Sequence, residues 1–170
     1  MKPTLYLFVG YPGAGKTTIA KLIETRTGAV HLWADHIRQQ MFADPTHSRE
    51  ESKLLYDKLN DETAAWLQQG KSVIFDTNFN FYDDRELLRR IAADNGAETK
   101  LIWVTTPRDV AHQRAVHESN DQVTRIFGNM PETDFQRIAG NLQPPRPDEQ
   151  AIEIDGTNLN VDDAYRLLGL

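Results

Sequence analysis

The 170-residue sequence contains no cysteine. That absence excludes disulfides, a thiolate zinc site and a cysteine nucleophile, and it is the usage of a reducing compartment. Long apolar runs are missing too. The opening MKPTLYLFVG has one lysine and a short apolar run before Gly10 and Pro12, too little for a signal-peptide core or a membrane span. A cytoplasmic location without a membrane partner is therefore expected. Positive charge is scarce, with 19 Lys and Arg against 25 Asp and Glu, a formal net charge of -6. General coating of nucleic acid needs clustered cations and is excluded; a local basic pocket for one nucleotide or one strand end is not.

What is present suffices for a core. With 39% hydrophobic residues, the chain reads as a single domain over residues 1–170. Apolar runs rich in β-branched or aromatic residues occur at Leu5–Val9, Ala29–Trp33, Ser72–Phe75, Lys100–Thr105 and Ala151–Ile154, and each predicts a strand. The intervening segments space apolar residues three and four apart, as in Ile19, Leu22 and Ile23 or Leu54, Leu55, Leu59 and Leu67, the pattern of a helix face. Strands alternating with helices predict an α/β fold with a mostly parallel sheet covered on both faces. Ser48 with Glu51, and Thr106 with Pro107 and Asp109, read as capping boxes. Asn160 with Asp163 reads as the start of a last helix, Asn80 as a cap, and the proline cluster Leu142–Glu149 as a surface connection.

The segment GYPGAGKTT, Gly10 to Thr18, satisfies G-x-x-x-x-G-K-[ST] directly after a predicted strand and directly before a predicted helix, the context in which this motif binds phosphate. Glycines let successive backbone N–H groups turn toward phosphate oxygens, and the following helix adds its positive end. Gly10, Gly13, Ala14, Gly15, Lys16, Thr17 and Thr18 are the expected nucleotide-binding residues. Lys16 would bridge the β- and γ-phosphates of ATP, and the Thr17 hydroxyl would ligate Mg2+. A GTPase switch would also need N-K-x-D and D-x-x-G segments, which are absent. A motor would need a further helical module, for which the length leaves no room.

A kinase needs an acceptor site at the carboxyl ends of the strands. The second strand runs into Asp35, with Arg38 three residues on, so both can share one helix face. Asp35 would take the proton of an attacking hydroxyl and Arg38 would fork onto an anionic or polar group of the acceptor. The competing reading is a helix cap and a solvated charge. Asp76, closing the third strand before Thr77 and Asn78, would support Mg2+ or anchor the acceptor. The polar stretch from about 117 to 132 reads as a lid, and Arg114 and Arg125 are its candidate catalytic cations. The five histidines show no i, i+4 pairing of the metalloprotease type, so a zinc site is not expected. Trp33, Trp66 and Trp103 read as core.

Taken together, GYPGAGKTTIAKLI, WADHIRQQMF, GKSVIFDTNFNFYDDRELL and LIWVTTPRDVAHQRA resemble the small P-loop kinases grouped with the kinase domain of bacteriophage polynucleotide kinase and, more distantly, zeta toxins. The resemblance implies a three-layer α/β/α P-loop NTPase fold with strand order 2-3-1-4-5 and a small helical lid. It implies that the aspartate of D-x-x-R, here Asp35, activates the acceptor hydroxyl and that its arginine, Arg38, contacts an acceptor phosphate. It also carries D-T-N onto Asp76, Thr77 and Asn78, and lid arginines onto Arg114 and Arg125. No phosphatase-like segment follows, so a single activity is expected. The reading is an ATP- and Mg2+-dependent kinase whose acceptor is a small molecule, a nucleoside or a 5′-hydroxyl nucleic-acid end, the acidic balance favouring a small molecule. A nucleotide-binding sensor without an acceptor is the alternative. Adenine is expected near Asp155–Thr157.

Overall fold

Strand β1 (Thr4–Val9) is buried along its whole length, and the other elements are arranged around it. In the computed structural model, which describes residues 1–118 and 124–170, β1 is followed by α1 (Lys16–Thr27), β2 (Val30–Trp33), α2 (Ala34–Met41), α3 (Arg49–Gln68) and β3 (Val73–Asp76). The chain continues through α4 (Tyr82–Asp94), β4 (Glu98–Val104), α5 (Arg108–His112), a π-helical turn (Gln113–His117), α6 (Glu132–Gly140), β5 (Ile152–Ile154) and α7 (Val161–Leu168). The strands form one sheet in the order β2-β3-β1-β4-β5, with every pairing parallel. This is the expected three-layer α/β arrangement and strand order.

Period-two alternation in β1 divides the core. Leu5, Leu7 and Val9 join Leu55, Leu59 and Leu67 of α3 and Leu88 of α4 on one face. Tyr6 and Phe8 join Ile19 and Ile23 of α1 and Leu168 of α7 on the other. A strand covered on both faces must be apolar at every position, which is why LYLFV reads as a continuous run. A smaller cluster, Ala115, Phe135 and Ala139, lies between the π-turn and α6.

Two helix starts form as expected. Ser48 Oγ accepts from Glu51 N at 3.1 Å, and Asn160 Oδ1 accepts from Asp163 N at 3.0 Å. The return half of the Ser48 box is not made, because the Glu51 carboxylate instead receives Thr46, His47 and Arg38. The other expected caps are corrected. Thr106 caps nothing: Pro107 is the N-cap of α5, while the Thr106 hydroxyl donates to Ala14 O at 2.7 Å and accepts from Gly156 N at 2.9 Å. Asn80 is not the cap of α4, which is Phe81; its buried Oδ1 accepts from Gly10 N at 3.2 Å. In both cases a long-range backbone partner, invisible to local spacing, claims the side chain.

The proline-rich segment is more than a surface connection. Glu149 turns inward to pair with Arg85 Nε at 2.7 Å, both side chains being buried, and Arg89 joins the same carboxylate at 2.5 Å. Arg85 also donates to Phe79 O and Gln143 O, so the segment straps α4 from outside. The stretch expected as a lid, 117–132, runs from the end of the π-turn to the start of α6, and 119–123 of it lie outside the described residues. No helix among the described residues is long and apolar enough to cross a membrane.

Candidate functional site

The glycine-rich loop leaves β1 at Gly10 and enters α1 at Lys16. Ala14 N closes back onto Tyr11 O at 3.0 Å. Gly13 has φ +81°, and a Cβ there would stand 2.3 Å from Ala111 O of α5; only glycine permits both the dihedral and the approach. Behind the loop, Gly156 packs as closely, a Cβ there meeting Ala14 O at 2.3 Å. The loop is thus held from below by Thr106 and Gly156 and from the side by α5, with the α1 N-terminus facing a cleft of about 1100 Å3. Such a cavity slightly exceeds the usual range of ligand-site volumes.

Lys16 Nζ donates to Gly10 O at 3.0 Å and Tyr11 O at 2.8 Å, which aims the ammonium along the loop. Burial lowers its pKa to about 8, the charge of Arg125 acting the same way and those of Asp76 and Asp35 opposing it. Thr17 Oγ1 donates to Asp76 Oδ1 at 3.2 Å. The second Asp76 oxygen faces His31 Nε2 at 2.9 Å, and His31 Nδ1 faces Glu24 at 3.0 Å. Burial disfavours protonated His31, but hydrogen bonds and charge from Asp76 and Glu24 outweigh it and raise the pKa. A hydroxyl and a carboxylate side by side are hard oxygen donors suited to Mg2+, and the loop's turned backbone with a lysine suits a triphosphate. The residues present fit both groups.

Asp35, at the start of α2, lines the same cleft. Its side chain stays accessible, yet the enclosing walls desolvate the carboxylate and, with Asp76, raise its pKa against the opposing charges of Arg125, Arg38 and His47. It accordingly stands near enough to Lys16 to act on that ammonium. Arg38 is neither a solvated charge nor a free fork. It is buried, with Nη1 on Glu51 at 2.6 Å and Nη2 on Ser52 Oγ at 3.1 Å. Among the described residues, its Nε and that of Arg125 are buried without a hydrogen-bond partner, and both residues line the cleft. Burial pushes the Glu51 pKa up, but the hydrogen bonds from Thr46, Arg38 and His47 bring it down to about 2.

Arg114, in the π-turn, donates to Gly156 O at 3.0 Å and Thr157 O at 2.7 Å, tying that turn to the loop after β5. The fold therefore brings Gly13, Gly15, Lys16, Thr17, Thr18, Asp35, Arg38, Asp76, Arg114 and Arg125 to one cleft, with Gly10 and Ala14 buried behind the loop. Sequence reasoning missed His31, whose strand position gives no sign that it meets Asp76. It also missed Tyr56, whose hydroxyl lies 2.8 Å from Thr77 Oγ1, and Glu51, which immobilises Arg38.

An AAA-domain family model (AAA_33) matches residues 5–145. Among curated proteins, an adenylate kinase of Chlamydia trachomatis serovar D is 26% identical over 118 residues, 68% of this chain and 46% of that protein. The chain thus spans about half the length of the curated relatives it matches. Among solved structures, a protein of Chloroflexus aurantiacus described as a kinase superposes with a TM-score of 0.79 at 22% identity, covering 99% of this chain and 98% of the other. The APS kinase of Mycobacterium tuberculosis, in complex with AMPPNP and APS, superposes at 0.66 with 19% identity over 99% and 96%. These likenesses are of fold, a kinase-like P-loop arrangement, and the family match extends through the glycine loop, Asp35, Asp76, Arg114 and Arg125. The chain belongs to the AAA_33 family of AAA domains.

Proposed function

We propose that the protein is a kinase that transfers the γ-phosphoryl group of ATP to a hydroxyl of a small, negatively charged acceptor. The observation that carries this reading is one cleft lined by both the glycine loop and Asp35. A nucleotide sensor needs the first and has no use for an accessible carboxylate opposite it. ATP would lie with its phosphates on the loop amides and Lys16, and its adenine toward Asp155–Thr157 between α5 and the loop that Arg114 secures. Thr17 and Asp76 would hold Mg2+, which supplies charge neutralisation across the phosphates when bound.

Asp35 accepts the proton of the acceptor hydroxyl as its oxygen bonds to the γ-phosphorus. The bond from that phosphorus to the β,γ-bridging oxygen breaks, and ADP leaves. The raised pKa of Asp35 makes it a stronger base than an ordinary aspartate. Lys16 and Arg125 oppose charge developing on the transferring group. The two guanidinium groups that line the cleft, Arg38 and Arg125, give it a cationic wall that favours an acceptor carrying phosphate, sulfate or carboxylate. A 5′-hydroxyl nucleic-acid end, the acceptor suggested by the resemblance to polynucleotide kinase, shares that chemistry. The curated likeness to adenylate kinases raises a phosphate acceptor as a second reading, for which no base is required.

The test is transfer of label from γ-labelled ATP to a panel of sugar acids, phosphorylated sugars, nucleosides, adenosine monophosphate and 5′-hydroxyl oligonucleotides. Acceptor-dependent labelling of a hydroxyl supports the proposal. Asp35→Asn is expected to lower kcat by about 100-fold or more while the KM for ATP stays within a few-fold. Labelling of the monophosphate with no effect of Asp35→Asn favours the phosphate acceptor, and ATP binding without transfer to any acceptor favours the sensor.

A further inference from the structure

The segment after α5 holds a side-chain cluster that the phosphoryl-transfer site does not use. His112 ends α5, His117 ends the π-turn and Glu132 opens α6. One donor atom from each lies within 4.8 Å of the others. His112 Nε2 faces Glu132 Oε2 at 2.6 Å, and the two imidazole rings are 5.5 Å apart. A five-residue separation does not align side chains on an α-helix, which is why an i, i+4 search passes over this pair. Here the turn is bonded i to i+5, Glu118 N donating to Gln113 O at 3.1 Å, and that wider turn brings the two histidines onto one side.

We propose that His112, His117 and Glu132 bind a divalent transition-metal ion of the zinc, cobalt and nickel class. Two imidazoles and a carboxylate are the donor set of a three-ligand zinc site whose fourth position is left to water. Imidazole selects these ions over Mg2+ and Ca2+, which prefer oxygen donors. The ligands are also oriented from outside. Gln136 Nε2 donates to Glu132 Oε1 at 2.8 Å, leaving Oε2 toward the histidines, and Arg108 holds the Gln136 carbonyl at 2.5 Å. The His112 ring is fixed edge-on against Phe135 at 4.9 Å. Outer partners that fix ligand orientation are the usual support of such sites. His117 and Glu132 are exposed, so an ion reaches the cluster from solvent. Bound there, it ties the π-turn that carries Arg114 to the first turn of α6, bridging the two elements that flank the lid segment. The site stands apart from the kinase reading, since neither histidine nor Glu132 lines the cleft.

The experiment titrates the full chain, free of a histidine tag, with Co2+ followed by its d–d absorption and with Zn2+ by calorimetry. One equivalent is expected to bind, with a tetrahedral or five-coordinate Co2+ spectrum. His117→Ala and Glu132→Gln are each expected to weaken that binding by roughly tenfold or more while leaving the metal-free melting temperature unchanged. Absence of saturable binding below about 100 µM, or equal affinity in His117→Ala, overturns the proposal, whatever the outcome of the phosphoryl-transfer assay.

Discussion

Lys16 shows how a residue's role follows from its surroundings. The GK-T spacing places a cation at the first turn of α1, but the enclosure of that cation lowers its pKa to about 8, within reach of ordinary assays. The protein without nucleotide therefore loses the Lys16 charge as pH rises through that value. With kcat/KM for ATP measured from pH 6 to 10, a basic limb centred near 8 is expected. Lys16→Ala is expected to lower phosphoryl transfer by about 100- to 1000-fold, the usual cost of one removed electrostatic donor, and to abolish that limb at every acceptor concentration. The place of Asp35 in the cleft was legible at this scale, since the carboxyl ends of the strands in such a sheet face the crevice where ligands bind. The fate of Arg38 was not. Its partners Glu51 and Ser52 come from α3, more than ten positions away, and no spacing rule links them.

Among the elements, the glycine loop, α5 and the loop after β5 behave as one support. The loop approaches α5 so closely at Gly13 that the next heavy atom would collide with Ala111 O at 2.3 Å, and backbone on both sides leaves nothing flexible to yield. Gly13→Ala is accordingly expected to cost about 1–3 kcal/mol, lowering the melting temperature by several degrees, and to weaken nucleotide binding in the same preparation. Calorimetry of melting with a nucleotide titration checks both. The motif makes Gly13 recognisable, but the reason it must be glycine lies in α5, about a hundred residues on. Thr106 carries the same lesson. Its sequence signature of a helix cap is sound locally, but Ala14 O and Gly156 N offer the hydroxyl buried partners at 2.7 and 2.9 Å, and an unsatisfied buried carbonyl costs more than a missing exposed cap.

At the scale of the whole molecule, two inward-facing carboxylates join distant segments: Glu51 fixes Arg38, and Glu149 fixes Arg85 and Arg89. Burial would raise the pKa of Glu149, but hydrogen bonds from Arg85, Arg89 and the Arg146 amide hold it at about 2, below the ordinary 4.5. Folded values below unfolded ones mean that this stability is fully present above pH 4.5 and is lost as pH falls toward 2. Urea unfolding between pH 7 and 3 is expected to show stability falling below about pH 5. Glu149→Gln is expected to be less stable at pH 7 and to show a shallower fall. The alternation of apolar runs and helical spacing, the GYPGAGKTT loop and the strand-end positions of Asp35 and Asp76 were all determined by the sequence alone, because period, glycine placement and motif order are local properties of a chain. The tertiary structure decided what local order cannot encode: Arg38 held by Glu51, Asp76 held between Thr17 and His31, the proline strap locked by Arg85, and His112 and His117 brought together by a π-turn. Each brings together polar groups distant in sequence or out of helical step, and in the buried ones the donor takes the acceptor that local structure does not supply.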